Sequence, residues 1–313
     1  MPPVNRNEPK RAKSSDSQYS LMEFMREFPD DTACLEHLWR SRYSPDGEHA
    51  ECPKCDRERV FKRYATKQRR QSWCCTGCGH HIHPTAGTIF HKSSTSLHLW
   101  FYAAYLMSST RCGISAKQLE RELGVNYKTA WRMMNRIRNK LMADDGQQLW
   151  GDVEVDETSW GGKPREKLTR SEAAAFREAK PTILGMVERG GRVRLRVIPS
   201  RRGPALSREV RANVNPSSLV FTDDWQAYKP LKYDGFLGHR IINHSHGIYV
   251  EGDIHTNTIE GFFGNLKTGM RGAYKKVSPR WLPSYLDEYA FRYNERHSPE
   301  AMFDTLINRA AQP

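Results

Sequence analysis

The sequence predicts a mixed α/β protein, in which an α/β domain follows a small cysteine-rich module and a helical, helix-turn-helix-like region. Three observations predict this fold class. Two Cys-x-x-Cys pairs lie close together in residues 50–92, apolar residues recur at helical spacing in residues 93–145, and apolar strands alternate with helices in residues 150–305. Because this alternation is typical of a sheet covered by helices, the last region is expected to be the largest domain.

Composition narrows the class of protein. A chain of 313 residues is long enough for two or three domains. It carries 49 Lys and Arg against 36 Asp and Glu, a formal net charge of +13, and so basic a globular protein usually binds a polyanion. Mean hydropathy is −0.75 and no long apolar stretch occurs, which excludes a membrane span. The N-terminal residues lack the apolar segment of a secretory signal, so a cytoplasmic protein is expected.

The residues before the first cysteine pair divide into two segments. Residues 1–18 are polar and basic and are predicted to form a disordered arm. Residues 19–49 carry apolar side chains at helical spacing, and Pro29 is expected to split them into two short helices.

The cysteines predict a metal site. Seven are present, an odd number, and five fall within 27 residues of a chain without a signal peptide, which favours metal thiolates over disulfides. A Cys-x-x-Cys pair places two sulfurs ~2.3 Å from one zinc ion. Two such pairs, 19 residues apart, therefore predict a zinc ribbon in residues 50–92 with the ligands Cys52, Cys55, Cys75 and Cys78. Four thiolates leave no open position for water, so the zinc is expected to be structural.

Other ligands are possible at this ribbon, and its surroundings suggest a role. Cys74 adjoins Cys75 and would give the spacing Cys-x-x-x-Cys, whereas Gly77 is expected to let the second pair turn tightly through a positive φ. The rival nitrogen ligands are His80, His81 and His83. Lys and Arg surround the cysteines, so the ribbon is a plausible DNA-binding element.

Residues 115–138 predict two helices joined by a tight turn. Ser115 is a suitable N-cap, Gly124 can end the first helix in a left-handed conformation, and Asn126 or Tyr127 opens the second. This arrangement is typical of a DNA-reading helix-turn-helix and equally of an ordinary helical hairpin. The basic side chains available for contact with DNA are Lys128, Arg132, Arg136 and Arg138.

Three acidic residues stand at informative places in the α/β region. Asp156 lies towards the end of a predicted strand, Asp223 directly follows the apolar strand 218–222, and Glu260 projects from a predicted helix. Carboxylates from separate elements can hold two divalent cations ~3.5–4 Å apart, which activate water and stabilise the charge that develops on a phosphodiester. Magnesium prefers such oxygen ligands. The pattern therefore predicts a phosphodiester-cleaving site that uses Mg²⁺ or Mn²⁺.

Neighbouring residues leave the ligand assignment open at this site. Glu157 and Asp224 adjoin the two aspartates and could be the ligands instead. Asn257 and Asn265 could replace Glu260 as weaker ligands. His255 and Lys267 are candidates for binding phosphate beside the metals.

Several runs of the chain are distinctive: VEVDETSWGGK, VFTDDWQAY, HTNTIEGFFGNLKTGMRGAYKKVSP, YLDEYAFRYNER, CPKC, CTGC, PTAGTIFHKS and GISAKQLERELGVNYKTAWRMM. These runs resemble the DDE transposases of bacterial insertion sequences, and among them the ISXO-type group, which carries a zinc ribbon. The resemblance covers about residues 20–305. It implies that residues 150–305 form a ribonuclease H-like domain, that Asp156, Asp223 and Glu260 are its metal-binding triad, and that Lys267 holds DNA.

The sequence also predicts the strands and helices of residues 150–305. Strands are predicted near residues 151–158, 182–188, 192–198, 218–222 and 239–243. Helices are predicted over 203–214 and 280–297, and the basic segment 163–180 is expected to be partly helical.

The function that the resemblance implies is that of an insertion-sequence transposase, which cleaves the ends of its element and joins the freed 3′-hydroxyls to target DNA. Its expected cofactors are Mg²⁺ or Mn²⁺ and a structural Zn²⁺. Its expected partners are the terminal inverted repeats, target DNA and at least one further copy of the chain, since two ends must be held together; no membrane partner is expected. Bound to DNA, the protein would be associated with the nucleoid. Two further functions stay open: a non-catalytic zinc-ribbon regulator that binds DNA, and a nuclease of the same fold.

Overall fold

The structure is a computed structural model that describes residues 19–64, 71–162, 166–242, 255–298 and 300–312. The basic arm predicted at residues 1–18 lies outside the described residues. The chain divides into two compact units, of which the first is Met1–Leu141 with Arg296–Pro313 and the second is Met142–Glu295. Within the described ranges, no helix is both long enough and apolar enough to span a bilayer.

The helices and strands are numbered in chain order. The helices are α1 (Leu21–Glu27), α2 (Asp31–Arg42), α3 (Leu97–Ser109), α4 (Ala116–Leu123), α5 (Tyr127–Arg136), α6 (Arg170–Glu178), α7 (Gly203–Asn213), α8 (Asn257–Ala273), α9 (Leu282–Asn294) and α10 (Met302–Ala311). The strands are β1 (His49–Cys52), β2 (Arg57–Tyr64), β3 (Ser72–Cys75), β4 (His81–Ile82), β5 (Asp152–Ser159), β6 (Thr182–Glu188), β7 (Val193–Ile198), β8 (Leu219–Asp223) and β9 (Gly238–Ile242).

The first unit combines a small antiparallel sheet with helices. Strands β1 to β4 pair in sequence order, and Trp39 of α2 stacks on Trp73 of β3 with ring centroids 4.8 Å apart. Asp30 caps α2 by accepting a hydrogen bond from the amide of Ala33 at 2.9 Å. Helices α1 and α2 therefore begin and end on either side of Pro29, as the sequence predicts.

Helices α4 and α5 form the helix, turn and helix expected from the sequence. Gly124 follows α4 with φ +63°, and the side chain of Asn126 accepts a hydrogen bond from the amide of Thr129 at 2.8 Å to begin α5. A π-helical turn, Ile137–Leu141, continues α5. Within it Arg138 is only 1% exposed, so the expectation that this side chain contacts DNA is wrong for the structure described.

Helix α10, which the sequence patterns did not predict, belongs to the first unit. Its Phe303 lies with its ring centroid 5.6 Å from Phe24 and 5.8 Å from Phe28. All three side chains are no more than 2% exposed. The core of the first unit is therefore completed by a segment that follows the whole second unit along the chain.

The second unit is a five-stranded sheet between two helical layers. The strand order is β7-β6-β5-β8-β9, with β5, β6 and β7 antiparallel and β5, β8 and β9 parallel. Helices α8 and α9 cover one face around Ile259 and Leu286, whereas α7 and the 3₁₀ helix Gln226–Tyr233 cover the other around Val210 and Tyr228. The observed strands agree with the five strand segments that the sequence predicts.

The half-buried carboxyl of Asp287 on α9 allows a prediction about stability. Burial, reinforced by Asp144, raises the pKa of Asp287 from 3.8 to about 6, although Arg196 opposes the rise. An acid whose pKa is raised on folding destabilises the folded state progressively between pH ~4 and ~6, by up to ~3 kcal/mol at neutral pH and less after solvent screening. We expect Asp287→Asn to raise the melting temperature at pH 7.5 by several degrees. In thermal unfolding across pH, this advantage should vanish below pH ~4; an equal gain at pH ~4 and pH 7.5 would contradict it.

Candidate functional site

Four cysteine sulfurs meet at one end of the small sheet. The sulfurs of Cys52 and Cys78 are 3.6 Å apart, those of Cys55 and Cys75 are 4.0 Å apart, and all four lie within 4.8 Å of one another. A tetrahedral zinc with sulfur at ~2.3 Å requires sulfur–sulfur separations of ~3.8 Å. The four predicted cysteines therefore form a cluster that fits zinc.

Two turns bring these sulfurs together. The amides of Cys55 and Asp56 donate to the carbonyl of Cys52 at 3.1 and 2.9 Å, and Asp56 has φ +51°. In the second pair the amide of Gly79 donates to the carbonyl of Cys75 at 2.9 Å, with φ +72°. The positive φ expected at Gly77 is thus found two residues later, because the turn closes after Cys78.

The rival zinc ligands lie elsewhere. The sulfur of Cys74 is 3.8 Å from the carbonyl oxygen of Cys75, and it is not a member of the four-sulfur cluster. His81 is hydrogen-bonded through Nδ1 to the hydroxyl of Ser72 at 2.8 Å. Within the described ranges, no histidine has its ring nitrogen in the cluster.

The two aspartates lie on adjacent strands of the large sheet. Asp152 of β5 and Leu219 of β8 are partners in a parallel pair. Asp156 and Asp223 each lie four residues further along their strands. The parallel pair extends as far as Glu154 and Phe221, and the two half-buried aspartates each follow that pair by two residues on strands ~4.8 Å apart.

Helix α8 packs beside them through a glycine on β6. Gly185 is the partner of Asp156 across the β5–β6 pair. A Cβ atom at Gly185 would stand 2.6 Å from the ring of Phe263 and 2.7 Å from Cδ1 of Ile259. The absence of a side chain at this position therefore lets α8 lie directly on the sheet, and the exposed Glu260 is in its first turn.

The predicted acids interact with one another electrostatically. Burial and, next, the carboxylate of Glu157 raise the pKa of Asp156, with smaller contributions from Asp223 and Glu260, to about 7. Burial and Arg271 lower the pKa of Lys267, whereas Asp156 raises it. A buried group of like charges is stabilised by a bound cation. Among the described residues, no three carboxylates have oxygens that all lie within 4.8 Å of one another. The three acids are therefore not arranged around a single shared ion in this structure.

The neighbouring acid Glu157 already has partners. Its carboxylate accepts a hydrogen bond from the hydroxyl of the buried Tyr228 at 2.5 Å and forms an ion pair with Arg201 at 2.9 Å. Burial raises the pKa of Glu157 in spite of these partners. Glu157 and Arg201 line a cavity of about 490 Å³ together with Asp223 and Asp224. Asp223 and Asp224 thus both reach this cavity, whereas the oxygens of Glu157 are largely used within the protein.

His255, a candidate for binding phosphate, is held by contacts within the second unit. Its Nδ1 lies 3.1 Å from the carboxylate of Glu154, and its carbonyl accepts a hydrogen bond from Arg189 at 2.9 Å. Asn257 and Asn265, the candidates for replacing Glu260, are exposed on α8.

Glu154, two residues before Asp156, has a role that sequence reasoning missed. It is fully buried, and its carboxylate accepts hydrogen bonds from the amides of Thr258 and Ile259 at 2.8 and 3.0 Å. Arg189 donates to it at 2.9 Å. In the part of the chain that the structure describes, helix α8 has no capping side chain of its own, so a strand residue caps its first turn. The sequence did contain a signal for this role, because a carboxylate within a buried strand, on the same face as Asp156, needs hydrogen-bond partners.

We expect Glu154→Ala to lower the free energy of unfolding by about 3–5 kcal/mol, because it removes the buried carboxylate that accepts from Nε of Arg189 and from two amides of α8. Urea unfolding followed by circular dichroism measures the loss. Asp152→Ala is the matched control, since Asp152 is an exposed carboxylate on the same strand, and it should change stability by less than ~0.5 kcal/mol. Equal effects of the two substitutions would contradict the capping role.

Comparison with known proteins identifies the class to which this fold and site belong. Residues 148–294, nearly the whole second unit, match the family of ISXO2-like transposase domains. The chain is also 32% identical over 253 residues, 77% of its length, to an uncharacterized protein in transposable element ISH50 of Halobacterium salinarum, 84% of which is covered. The chain therefore belongs to the ISXO2-like transposase family. This finding confirms the resemblance to ISXO-type transposases.

Proposed function

We propose that this protein is an active DDE transposase, which cleaves DNA strands at the ends of an insertion sequence and joins them to target DNA. The observation that carries the proposal is the placement of three acids in a transposase-family domain. Asp156 and Asp223 each follow the last residue pair of two adjacent parallel strands, Glu154 and Phe221, by two positions. Both Asp223 and Glu260 add to the negative potential at Asp156. Such a crowded group of acids in a chain of net charge +13 is best explained by bound cations.

The donor set fits divalent metal ions with oxygen ligands. Asp156, Asp223 and Glu260 would hold Mg²⁺ or Mn²⁺, which supply activation of the attacking hydroxyl and neutralisation of charge at phosphorus. Lys267, two turns along α8 from Glu260, would hold a DNA phosphate beside the acids.

Arg201 would bind a DNA phosphate in the same reaction. It stacks 5.4 Å from the ring centroid of Trp225 and is held by Glu157, beside Asp223. Its Nε atom is buried without a hydrogen-bond partner among the residues that the structure describes. A guanidinium fixed in this way can donate to a phosphate oxygen of the DNA strand that enters the cavity.

The fold and the first unit support the same function. The mixed five-stranded sheet, with three antiparallel strands followed by two parallel ones, supports a ribonuclease H-like catalytic domain. The four-cysteine cluster would hold a structural zinc ion, and the zinc ribbon with α4 and α5 would bind the terminal inverted repeats. Tyr127 and Lys128 are exposed at the beginning of α5, where a recognition helix contacts base edges. A dimer or larger assembly, acting on the nucleoid, would hold two element ends together.

Strand transfer in vitro tests the proposal. The purified chain is mixed with a donor plasmid, in which a marker lies between the DNA segments that flank this coding region, and with a target plasmid. Metal-dependent joining of the marker to the target supports a transposase. Cleavage without joining would indicate a nuclease, and specific binding to the flanking segments without cleavage in Mg²⁺ or Mn²⁺ would indicate a regulator.

A further inference from the structure

A groove in the second unit, separate from the acidic site, has a composition that matches a nucleotide. It has a volume of about 590 Å³ and lies between the end of β5, helix α6 and the segment that follows α8. Its apolar surface comes from Trp160, Phe176 and Val277. Trp160 is held in place because its indole nitrogen donates to the carbonyl of Val277 at 3.4 Å.

The rim of the groove is cationic. Four basic residues, Lys180, Arg271, Lys275 and Lys276, line it together with the apolar side chains, and no acidic residue is among the described residues that line it. The ammonium of Lys180 lies 4.6 Å from the centroid of the Phe176 ring. An apolar slot with aromatic walls suits a planar ring, and the surrounding cations suit phosphates.

The groove is connected to the acidic site along two elements. Trp160 follows Asp156 by four residues at the end of β5, a distance of ~13 Å along an extended strand. On α8, Arg271 of the groove follows Lys267 by one turn, and the two charges influence each other. A DNA backbone with phosphates ~3.4 Å apart along the helix axis would cross this interval in about four nucleotides, and in fewer if unstacked.

We propose that this groove, which we call the Trp160 groove, binds an unpaired nucleotide of the DNA substrate close to the strand cleaved at Asp156. The base lies against the half-buried ring of Phe176, and its phosphates contact the cations of the rim. Trp160, which is only 7% exposed, forms part of the apolar wall behind it. A fully paired duplex presents phosphates but keeps its bases stacked, so it cannot use the apolar walls. The inference rests on the proposed function, since it names part of the substrate that the acidic site acts on.

Binding measured by fluorescence anisotropy tests the proposal without cleavage. The full chain with zinc bound, in an Asp156→Asn background and without added magnesium, is titrated against two fluorescein-labelled probes. One is a blunt duplex, and the other is the same duplex with a 3′ overhang of about five thymidines. Because loss of a stacked base weakens binding by ~1–3 kcal/mol, Phe176→Ala should weaken binding of the overhang probe about 5- to 140-fold. Binding of the blunt probe should weaken less than about two-fold.

Three further variants separate the roles of the ring, the charge and the fold. Phe176→Tyr keeps an aromatic ring and should bind the overhang probe as the parent does. Lys275→Gln with Lys276→Gln should weaken overhang binding and lower its salt dependence by about 1.4 in log–log slope. Tyr233→Ala removes an aromatic side chain that is 83% exposed outside the groove, and it should change neither affinity by more than about two-fold.

The outcomes that overturn the proposal are distinct from a failure of the transposase assignment. Unchanged overhang binding by Phe176→Ala, or equal weakening of both probes by it, would show that no base occupies the groove. If circular dichroism shows that Phe176→Ala does not fold, the variant with both Lys275→Gln and Lys276→Gln provides the test. Equal losses of affinity for the two probes by that variant would also exclude the proposal. Absence of cleavage or strand transfer by the unmodified chain in Mg²⁺ would refute the proposed function but leave this binding result in place.

Discussion

Replacement of Asp156 by asparagine is expected to abolish strand cleavage, with a fall in rate of at least about a thousand-fold. Asparagine keeps the shape of the side chain but removes the charge that would hold both ions, and metal stabilisation of the developing charge amounts to several kcal/mol, or ~10³-fold in rate. The same substitution removes a buried charge that Glu157, Asp223 and Glu260 crowd. The melting temperature should therefore stay the same or rise while activity disappears. Gel assays of cleavage and thermal unfolding of the same preparation measure both.

The neighbouring acids provide the controls for this result. Asp224 lines the same cavity as Asp223, and Asp224→Asn should retain cleavage within about ten-fold if Asp223 is the ligand. Asp223→Asn and Glu260→Gln should each behave as Asp156→Asn does. The assignment of the triad is wrong if Asp224→Asn is inactive and Asp223→Asn is active.

Loss of the zinc ion is expected to unfold the small sheet of the first unit. The four sulfurs are at zinc-binding separations, and a structural zinc bound by thiolates contributes ~10–16 kcal/mol at neutral pH in small domains. Cys75→Ser should therefore lose zinc and lower the melting temperature of the first unit sharply. Zinc content measured by inductively coupled plasma spectrometry and unfolding by circular dichroism detect the two effects.

The adjacent cysteine is a closely matched control. Cys74 lies next to Cys75 in β3 but outside the cluster, so Cys74→Ser should keep one zinc per chain and a melting temperature within a few degrees of the parent. If both serine variants retain zinc, a residue other than Cys75 completes the site.

Local patterns in the sequence were sufficient for most of the fold. Strands β6 and β8 are short apolar runs, β5 and β7 alternate apolar with charged residues, and a proline separates α1 from α2. The positions of these elements therefore follow from periodicity and backbone chemistry alone. Helix α10 was missed because its apolar face, which includes Phe303, is matched by residues such as Phe24 that precede it by more than 250 positions. Propensity within a short window carries no information about such a partner.

The acidic site was less predictable than the fold for a related reason. Asp156 and Asp223 could be proposed as ligands from the sequence because each stands on or at the end of a recognisable strand. Glu154 was noted only as one of several alternating acids, since its function depends on the first turn of α8, about a hundred residues away. Gly185 likewise carried no signal, because the need for a missing side chain arises from the approach of α8 to β6.

The return of α10 to the first unit has a consequence during translation. When the ribosome has made the chain up to Glu295, the second unit is complete, but the aromatic side chains around Phe24 and Phe28 still lack the helix that covers them. The unit synthesised first is therefore the one that finishes folding last, and its incomplete core is the kind of surface that chaperones and proteases recognise. A product terminated early, before residues 302–311, should be degraded rather than accumulate as a DNA-binding fragment.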